Sequence, residues 1–406
     1  MRIFHTSDWH LGKTLGDWDR TEDFTFFLDW LIAKIEERRP DILLVAGDVF
    51  DVSMPPISAQ RLYYGFLQRA AQTSLSAVVV TAGNHDSQAF LSASSELLQS
   101  VRTIVAGADP ASQSIIVRDR EGAPLAAIAA VPYLKDGEVR KGVVDGDALD
   151  EFQAYEAGIE VRYREAHEAL LAEMAKEGVS NVPKIVMGHL FLRDAIPREK
   201  RAEVLAMPEI GSIRMTDLSK LGDDWDYAAL GHIHRAGPVE GDVPARYCGA
   251  PIALHFTHKD YRHQVVEVTF DVDGLEEVIH DVPQHRAVRR LSGRAAELPA
   301  ALEEMAREYP GGYVGLELTD EQPTRDMLEP LTEAAQALGL RLVNITVASA
   351  RTRSVETEPS LTLDMLSPDK VFDEVLRASG RSGEEADRLR ALFARVWREA
   401  EAPAEE

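Results

Sequence analysis

Through about its first 270 residues the chain alternates short, almost wholly apolar runs with stretches in which apolar residues recur every three to four positions. That rhythm predicts strands buried on both faces and covered by helices, an α/β fold. The strand candidates are Arg2 to Thr6, Asp41 to Ala46, Ala77 to Thr81, Leu125 to Ala130, Lys184 to Met187, Tyr227 to Leu230 and Gln264 to Phe270. Between the first two, Phe24, Phe27, Leu28, Leu31, Ile32 and Ile35 form the stripe of an amphipathic helix that Arg39-Pro40 stops. A helix opening near Ser58 carries Leu62, Tyr63, Phe66 and Leu67, and another, around Phe90 to Val101, carries Phe90, Leu91, Leu97 and Leu98. Both have more apolar surface than one sheet face requires. Leu62, Tyr63, Phe66, Phe90 and Leu91 are therefore read either as core or as the self-complementary contact of a homodimer.

The rhythm changes after residue 281, dividing the chain into expected domains at 1–281, 282–350 and 351–406. In the second, Val288 to Leu291, Tyr313 to Leu318 and Arg341 to Val347 alternate with helices from about Ala295 to Glu308 and Met327 to Leu338, a small βαβαβ unit. The third opens with a polar linker and continues as two helices, Pro368 to Ala378 and Gly383 to about Ala400, the latter behind a Ser382/Glu385 capping box. Val371, Phe372, Val375 and Leu376 on one, and Leu389, Leu392, Phe393, Val396 and Trp397 on the other, make apolar faces that either fold back or dock on a partner helix. The Glu/Ala-rich tail from Glu399 to Glu406 reads as disordered.

Composition narrows the chemistry. No apolar run reaches the roughly 18 residues of a membrane span, and Met1 to His5 reads straight into a strand, so a soluble cytoplasmic protein is expected. With one cysteine, Cys248, neither an internal disulfide nor a thiolate cluster is available, and any metal must be held by histidine and carboxylate. The formal net charge of −24 opposes polyanion binding at long range. Charge acts locally, however, within a Debye length of about 8 Å. Basic residues gather as Arg193, Arg198, Lys200 and Arg201, as Lys259 and Arg262, and as Arg286, Arg289, Arg290 and Arg294, and the first two groups are expected to contact phosphates.

Five short segments, each just after an apolar run, end in metal-ligand side chains: Asp8-Trp9-His10, Gly47-Asp48, Gly83-Asn84-His85-Asp86, Gly188-His189 and Gly231-His232-Ile233-His234. Loops at the carboxyl ends of strands converge on one edge of an α/β sheet, so these side chains meet. Asp8, His10, Asp48, Asn84, His189, His232 and His234 are about enough to hold two divalent ions and leave positions open. Imidazole and carboxylate without thiolate suit Mn²⁺, Fe²⁺ or Zn²⁺ better than Mg²⁺ or Ca²⁺. In Asp8-Trp9-His10 and His232-Ile233-His234, alternation along an extended segment would turn the two ligands to one side, letting His232 serve one ion and His234 its neighbour. His85 is not needed for the ion count. The remaining histidines, His255 among them, have no such setting.

In this order, over the first 270 residues, the segments resemble the calcineurin-like metallophosphoesterase superfamily. Together with Ile3 to Gly12, Gly47 to Asp51 and Tyr247-Cys248-Gly249-Ala250-Pro251-Ile252, they are similar to the nuclease subunits of bacterial SbcCD complexes. The resemblance implies a β-sandwich flanked by helices, a small α+β capping domain that binds DNA, and a C-terminal helix pair. It implies two Mn²⁺ per subunit, with Mg²⁺, Fe²⁺ or Zn²⁺ possible in their place. Asp8, His10 and His234 would hold one, Asn84, His189 and His232 the other, and Asp48 would bridge, with His85 as acid or transition-state contact oriented by Asp86. It further implies double-strand exonuclease and single-strand or hairpin endonuclease activity in DNA repair, recombination and replication, near the nucleoid. The implied assembly is a heterotetramer with an SbcC-type coiled-coil ATPase gripped by the terminal helices. The chain departs from the pattern at Ala253-Leu254-His255-Phe256, where a Ser more often precedes the Phe. The alternative is a small-substrate phosphatase or nucleotide phosphodiesterase, which would not need the roughly 130 residues added after the first domain.

Overall fold

The structure, a computed structural model, describes residues 1–107, 109–141, 151–196, 214–272, 274–320 and 325–348, and six positions between 386 and 393. It divides into one unit of Met1–Ala195 with Thr216–Glu356 and another of Ile196–Met215 with Thr357–Glu406.

The first unit is built on two six-stranded sheets. Along the chain run β1 (Arg2–Thr6), α1 (Thr21–Arg38), β2 (Ile42–Ala46), α2 (Ile57–Ala70), β3 (Ala77–Thr81), α3 (Gln88–Ser92), α4 (Ser95–Gln99), β4 (Thr103–Val105), β5 (Ser114–Arg118) and β6 (Pro124–Ala130). There follow α5 (Asp136–Lys141), α6 (Glu151–Glu177), β7 (Lys184–His189), β8 (Tyr227–Gly231), β9 (Gly237–Val239), β10 (Ala245–Tyr247), β11 (Gln264–Asp271) and β12 (Gly274–Asp281). One sheet has the order β12-β11-β1-β2-β3-β4, the other β5-β6-β7-β8-β10-β9. In each the central strands are parallel, β1-β2-β3-β4 and β6-β7-β8.

Alternation inside the apolar runs explains the layers. On β2, Ile42, Leu44 and Ala46 face the other sheet with Ile3, Val79, Ile128, Ile185 and Ala229, while Leu43 and Val45 turn outward beneath α1 and α2. On the far side Ala127, Ala129, Val186 and Ala228 pack under α6 through Tyr155, Ile159, Tyr163 and Leu170. The result is a helix-sheet-sheet-helix sandwich, in which the helix-covered strands expected from the hydrophobic pattern form the two sheets that the family resemblance implies. Tyr63 (0% exposed), Phe66 (1%) and Leu91 (1%) lie inside the α1/α2 core, with Leu62 and Phe90 packed against it. The dimer reading of these positions is thus corrected for the first three, whose side chains are spent on the core. Phe66→Ala should cost about 3–5 kcal/mol in a denaturant melt, whereas a dimer contact would leave the melt of the monomer unchanged.

The segment after β12 forms a third sheet, β13-β14-β15, from β13 (Val288–Gly293), β14 (Tyr313–Leu318) and β15 (Arg341–Val347), all parallel. Its helices α7 (Leu298–Glu308) and α8 (Arg325–Ala337) share a small core with it, made by Leu302, Met305, Val314, Leu316, Leu331 and Ala335. It sits on the sandwich through Leu15, Ala253, Phe256, Val288 and Tyr313. At this seam Asp23, 2% exposed, accepts from Arg20 Nε (2.9 Å), Tyr313 hydroxyl (2.9 Å) and Arg286 Nη1 (3.0 Å), so the buried carboxylate is fully paired.

In the second unit Ala386, Arg388, Leu389, Arg390, Leu392 and Phe393 are helical, and Leu392 is 47% exposed. Val371, Phe372, Val375, Leu376, Val396 and Trp397 lie outside the described residues. Among the described residues no helix is long and apolar enough to cross a membrane.

Candidate metal centre

The parallel strands of both sheets end at the same edge. β1 leads to Asp8 and His10, β2 to Asp48 and β3 to Asn84, while β7 ends at His189 and β8 leads to His232 and His234. All seven side chains meet there. Ligand atoms of Asp8, His10, Asp48 and His234 lie within 4.8 Å of one another, and so do those of Asp48, His189 and His232. Asp48 belongs to both groups. Its Oδ2 is 3.5 Å from His10 Nε2 and 3.2 Å from His189 Nε2. Asn84 Oδ1 joins the second group at 3.1 Å from His189 Nε2 and 2.9 Å from His232 Nδ1.

These spacings fit a cation better than a hydrogen-bond network. His10 Nδ1 is turned to Asp51 Oδ1 (3.2 Å), yet His10 Nε2 faces His234 Nε2 at 3.1 Å. With the His10 proton on Nδ1, two imidazole nitrogens converge, and His234 Nδ1 is buried without a partner. Ligands about 2.1 Å from an ion stand about 3.0–3.4 Å apart, close to the separations of 2.9 to 3.5 Å here. The charges agree. Burial alone would push the Asp48 carboxyl up, but His189 and His10 hold it well below the usual range. Burial would lower His189, yet Asp48 and Asp8 draw it up to about 9, so the carboxylates demand positive charge at the centre. Burial and neighbouring histidines lower His232 to about 3 and hold His234 well below its ordinary value, keeping both imidazoles neutral, the form that ligates.

The backbone is bent to achieve this. Asp8 (φ 52°), His10 (49°), Asp48 (48°) and His232 (97°) are four of the seven non-glycine residues with positive φ among those described, at a cost of about 1–3 kcal/mol each. The extended reading of Asp8-Trp9-His10 and His232-Ile233-His234 is therefore corrected. Left-handed turns, not strand alternation, bring each pair to the site, and Trp9 is sent into the core against Phe27 and Phe66. Two glycines admit close approaches: a Cβ on Gly83 would lie 2.1 Å from Asp48 Oδ1, and one on Gly231 1.8 Å from the Ala46 carbonyl oxygen.

His85 lies beside the first group, its ring centroid 4.7 Å from that of His10, but its partner is not Asp86. His85 Nδ1 donates to the backbone carbonyl of Asp51 (2.9 Å), which turns Nε2 to the opposite side of the ring. Asp86 instead accepts backbone N–H bonds from Val49 (3.0 Å), Phe50 (2.9 Å) and Gly83 (2.9 Å). Burial and the nearby Asp48 charge raise its pKa to about 6 despite those bonds. It ties the β2 loop to the β3 loop through these main-chain donors, while His85 is anchored by the Asp51 carbonyl.

Asp51 is the residue that sequence reasoning passed over. Its carboxylate, paired with Lys13 Nζ at 2.9 Å, fixes His10, and its carbonyl fixes His85. Burial would raise its pKa, but His10 and Lys13 hold it below the usual value. The signal was the Asp51 of Gly47-Asp48-Val49-Phe50-Asp51; that its backbone would also be used could not be read from side chains. Asp51→Ala should raise the metal concentration for half-maximal activity about 10–100-fold, and an unchanged metal titration would refute the assignment.

The basic residues divide. Arg193 is held by Glu156 (Nη2) and Asp217 (Nη1, 2.7 Å), and Arg262 by Asp281, so neither is an uncommitted phosphate ligand. Arg198, Lys200, Arg201 and the Lys259 side chain lie outside what the structure describes. Outside the ligand set His5 bonds the Tyr227 hydroxyl (3.1 Å), His263 the Ala250 carbonyl (2.8 Å), and His258 packs between His234 and Tyr261.

Comparison with known proteins matches residues 1–236 to the calcineurin-like phosphoesterase family and residues 284–379 to a type 5 capsule protein repressor C-terminal domain. The chain is 31% identical over 398 residues to the SbcD subunit of nuclease SbcCD from Escherichia coli (strain K12), covering 97% of each chain. It is 30% identical over 393 residues to the protein of that name in Rhodobacter capsulatus (92% of this chain, 93% of the relative). The corresponding Bacillus subtilis protein is 31% identical over 269 residues, 66% of each.

Proposed function

Because the chain belongs to the calcineurin-like phosphoesterases and, along nearly its whole length, to the SbcD family, we propose that it is the nuclease subunit of an SbcCD-type complex, a metal-dependent DNA phosphodiesterase. The observation that carries this reading is the single Asp48 oxygen shared by two histidine-rich groups, the arrangement a bridged pair of divalent ions requires. Asp8, His10 and His234 would hold one ion, Asn84, His189 and His232 the other, and Asp48 would bridge; Mn²⁺ suits the donor set best. When bound, such a pair lowers the pKa of a water and stabilises the charge of an in-line phosphoryl displacement.

The chain's own residues do the rest. Asp51 and Ala46 carbonyl accept from His10 Nδ1 and His189 Nδ1, leaving each Nε2 lone pair to the centre. His85, anchored through Nδ1, presents Nε2 to the rim, where its protonated form can give a proton to the leaving 3′ or 5′ oxygen. Arg198, Lys200, Arg201 and Lys259 are the proposed phosphate contacts, and the second domain the proposed wall for the duplex. The C-terminal helices, with Leu389, Leu392 and Phe393, are the proposed dock for an SbcC-type ATPase, in a heterotetramer around a homodimer of this chain.

The test is cleavage of an end-labelled hairpin duplex and of single-stranded DNA with Mn²⁺, beside an EDTA control and bis-p-nitrophenyl phosphate. DNA cutting that EDTA abolishes supports the nuclease. Hydrolysis of the small ester with no DNA cutting, even with ATPase partner and ATP, would replace it with a small-substrate phosphodiesterase.

A further inference from the structure

On the Asn84, His189 and His232 side the rim carries an aromatic residue that the chemistry above leaves unused. Tyr133 follows β6, and its backbone N–H donates to the Ala82 carbonyl (2.8 Å), on the loop that leads to Asn84. Its own carbonyl accepts from Gln88 Nε2 (2.9 Å). The Tyr133 ring centroid is 6.2 Å from those of both His189 and His232, edge-on to the first at 82° and inclined 33° to the second. Tyr63, Tyr163, Tyr227 and Tyr247 are all buried to 1% exposure or less, whereas Tyr133 is only half-buried. Its backbone is fixed on both sides, its ring borders two ligand imidazoles, and the residue is not fully buried. An aromatic ring placed beside the ligands is one on which a base can stack.

Resting on the nuclease reading, we infer that Tyr133 stacks on the base of the nucleotide joined to the scissile phosphate on the His189/His232 side. It thereby makes the site select nucleoside phosphodiesters over simple phosphate esters. Every base has a π face, so this selection is tolerant of sequence.

The experiment uses the full chain with Mn²⁺ and single-stranded oligonucleotides in which one abasic residue is moved stepwise through the sequence. Wild type and Tyr133→Phe should lose about tenfold in kcat/KM, through KM, when the abasic residue occupies the stacked position. Tyr133→Leu should show about tenfold higher KM on intact DNA and no response to the abasic residue. A wild type indifferent to the abasic residue at every position overturns the inference. So does a Leu variant that keeps the discrimination while needing more metal for half-maximal activity, since Tyr133 would then only support His189 and His232. Wild type that hydrolyses bis-p-nitrophenyl phosphate and cuts no oligonucleotide, with ATPase partner and ATP present, removes the nuclease reading itself and this inference with it.

Discussion

Asp48→Asn should reduce phosphodiester hydrolysis by about a thousandfold or more, and calorimetric Mn²⁺ titration should fall from two sites to one or none. The substitution preserves shape, and the Oδ1 that accepts from His85 N–H at 2.9 Å can remain an acceptor, so the loop need not move. What disappears is the negative charge that both groups use, the charge drawing His189 up to about 9. With the amide oxygen kept at Oδ1, the shared Oδ2 position becomes an amide nitrogen, which has no lone pair to offer either cation. Two Mn²⁺ still bound at wild-type affinity would sink the bridging assignment.

His85→Gln should separate binding from chemistry. The imidazole stands outside the seven proposed ligands, its Nδ1 bonded to the Asp51 carbonyl. Both metal sites should therefore fill as in the wild type while kcat falls about 10²–10⁴-fold. Substrates with an acidic leaving group need no proton, so p-nitrophenyl esters should be affected far less than DNA. A uniform loss on both substrates with weakened metal binding would instead make His85 a ligand or a prop for His10.

How much of this was legible in the sequence follows from burial. β1, β2, β3, β7 and β8 are covered on both faces, so their apolar runs stand out, and the ligands stand out because each directly follows such a run. Short or peripheral strands leave a weaker trace: β4, β9 and β10 have three residues each, and the edge strand β12 is half-exposed along its length. The 27-residue α6 was missed for a different reason. Its buried Tyr155, Ile159, Tyr163, Ala166, Leu170 and Met174 keep helical spacing, but exposed Phe152 and Leu171 blur the stripe. The helix expected from Phe90 to Val101 is broken between Ser92 and Ser95, where Ala93 and Ser94 end α3 and begin α4. Within the site, identity was readable and geometry was not. Left-handed turns at Asp8 and His10, the main-chain anchoring of His85 and the transfer of Asp86 to Val49, Phe50 and Gly83 depend on backbone atoms, which every residue has.

The origin of the ligands has a mechanical consequence. Asp8, His10, Asp48 and Asn84 hang from one sheet of the sandwich, and His189, His232 and His234 from the other, and each group draws on both. Cations seated there act as rivets through two plates otherwise held by apolar contact. Metal loading should then be recorded in the melting curve: at a free ion concentration 100 times the dissociation constant, each site adds about 2.7 kcal/mol to the resistance of the folded chain. A chelator would loosen the sandwich as well as silence the enzyme, giving a cell short of metal a subunit that is both idle and easier to degrade.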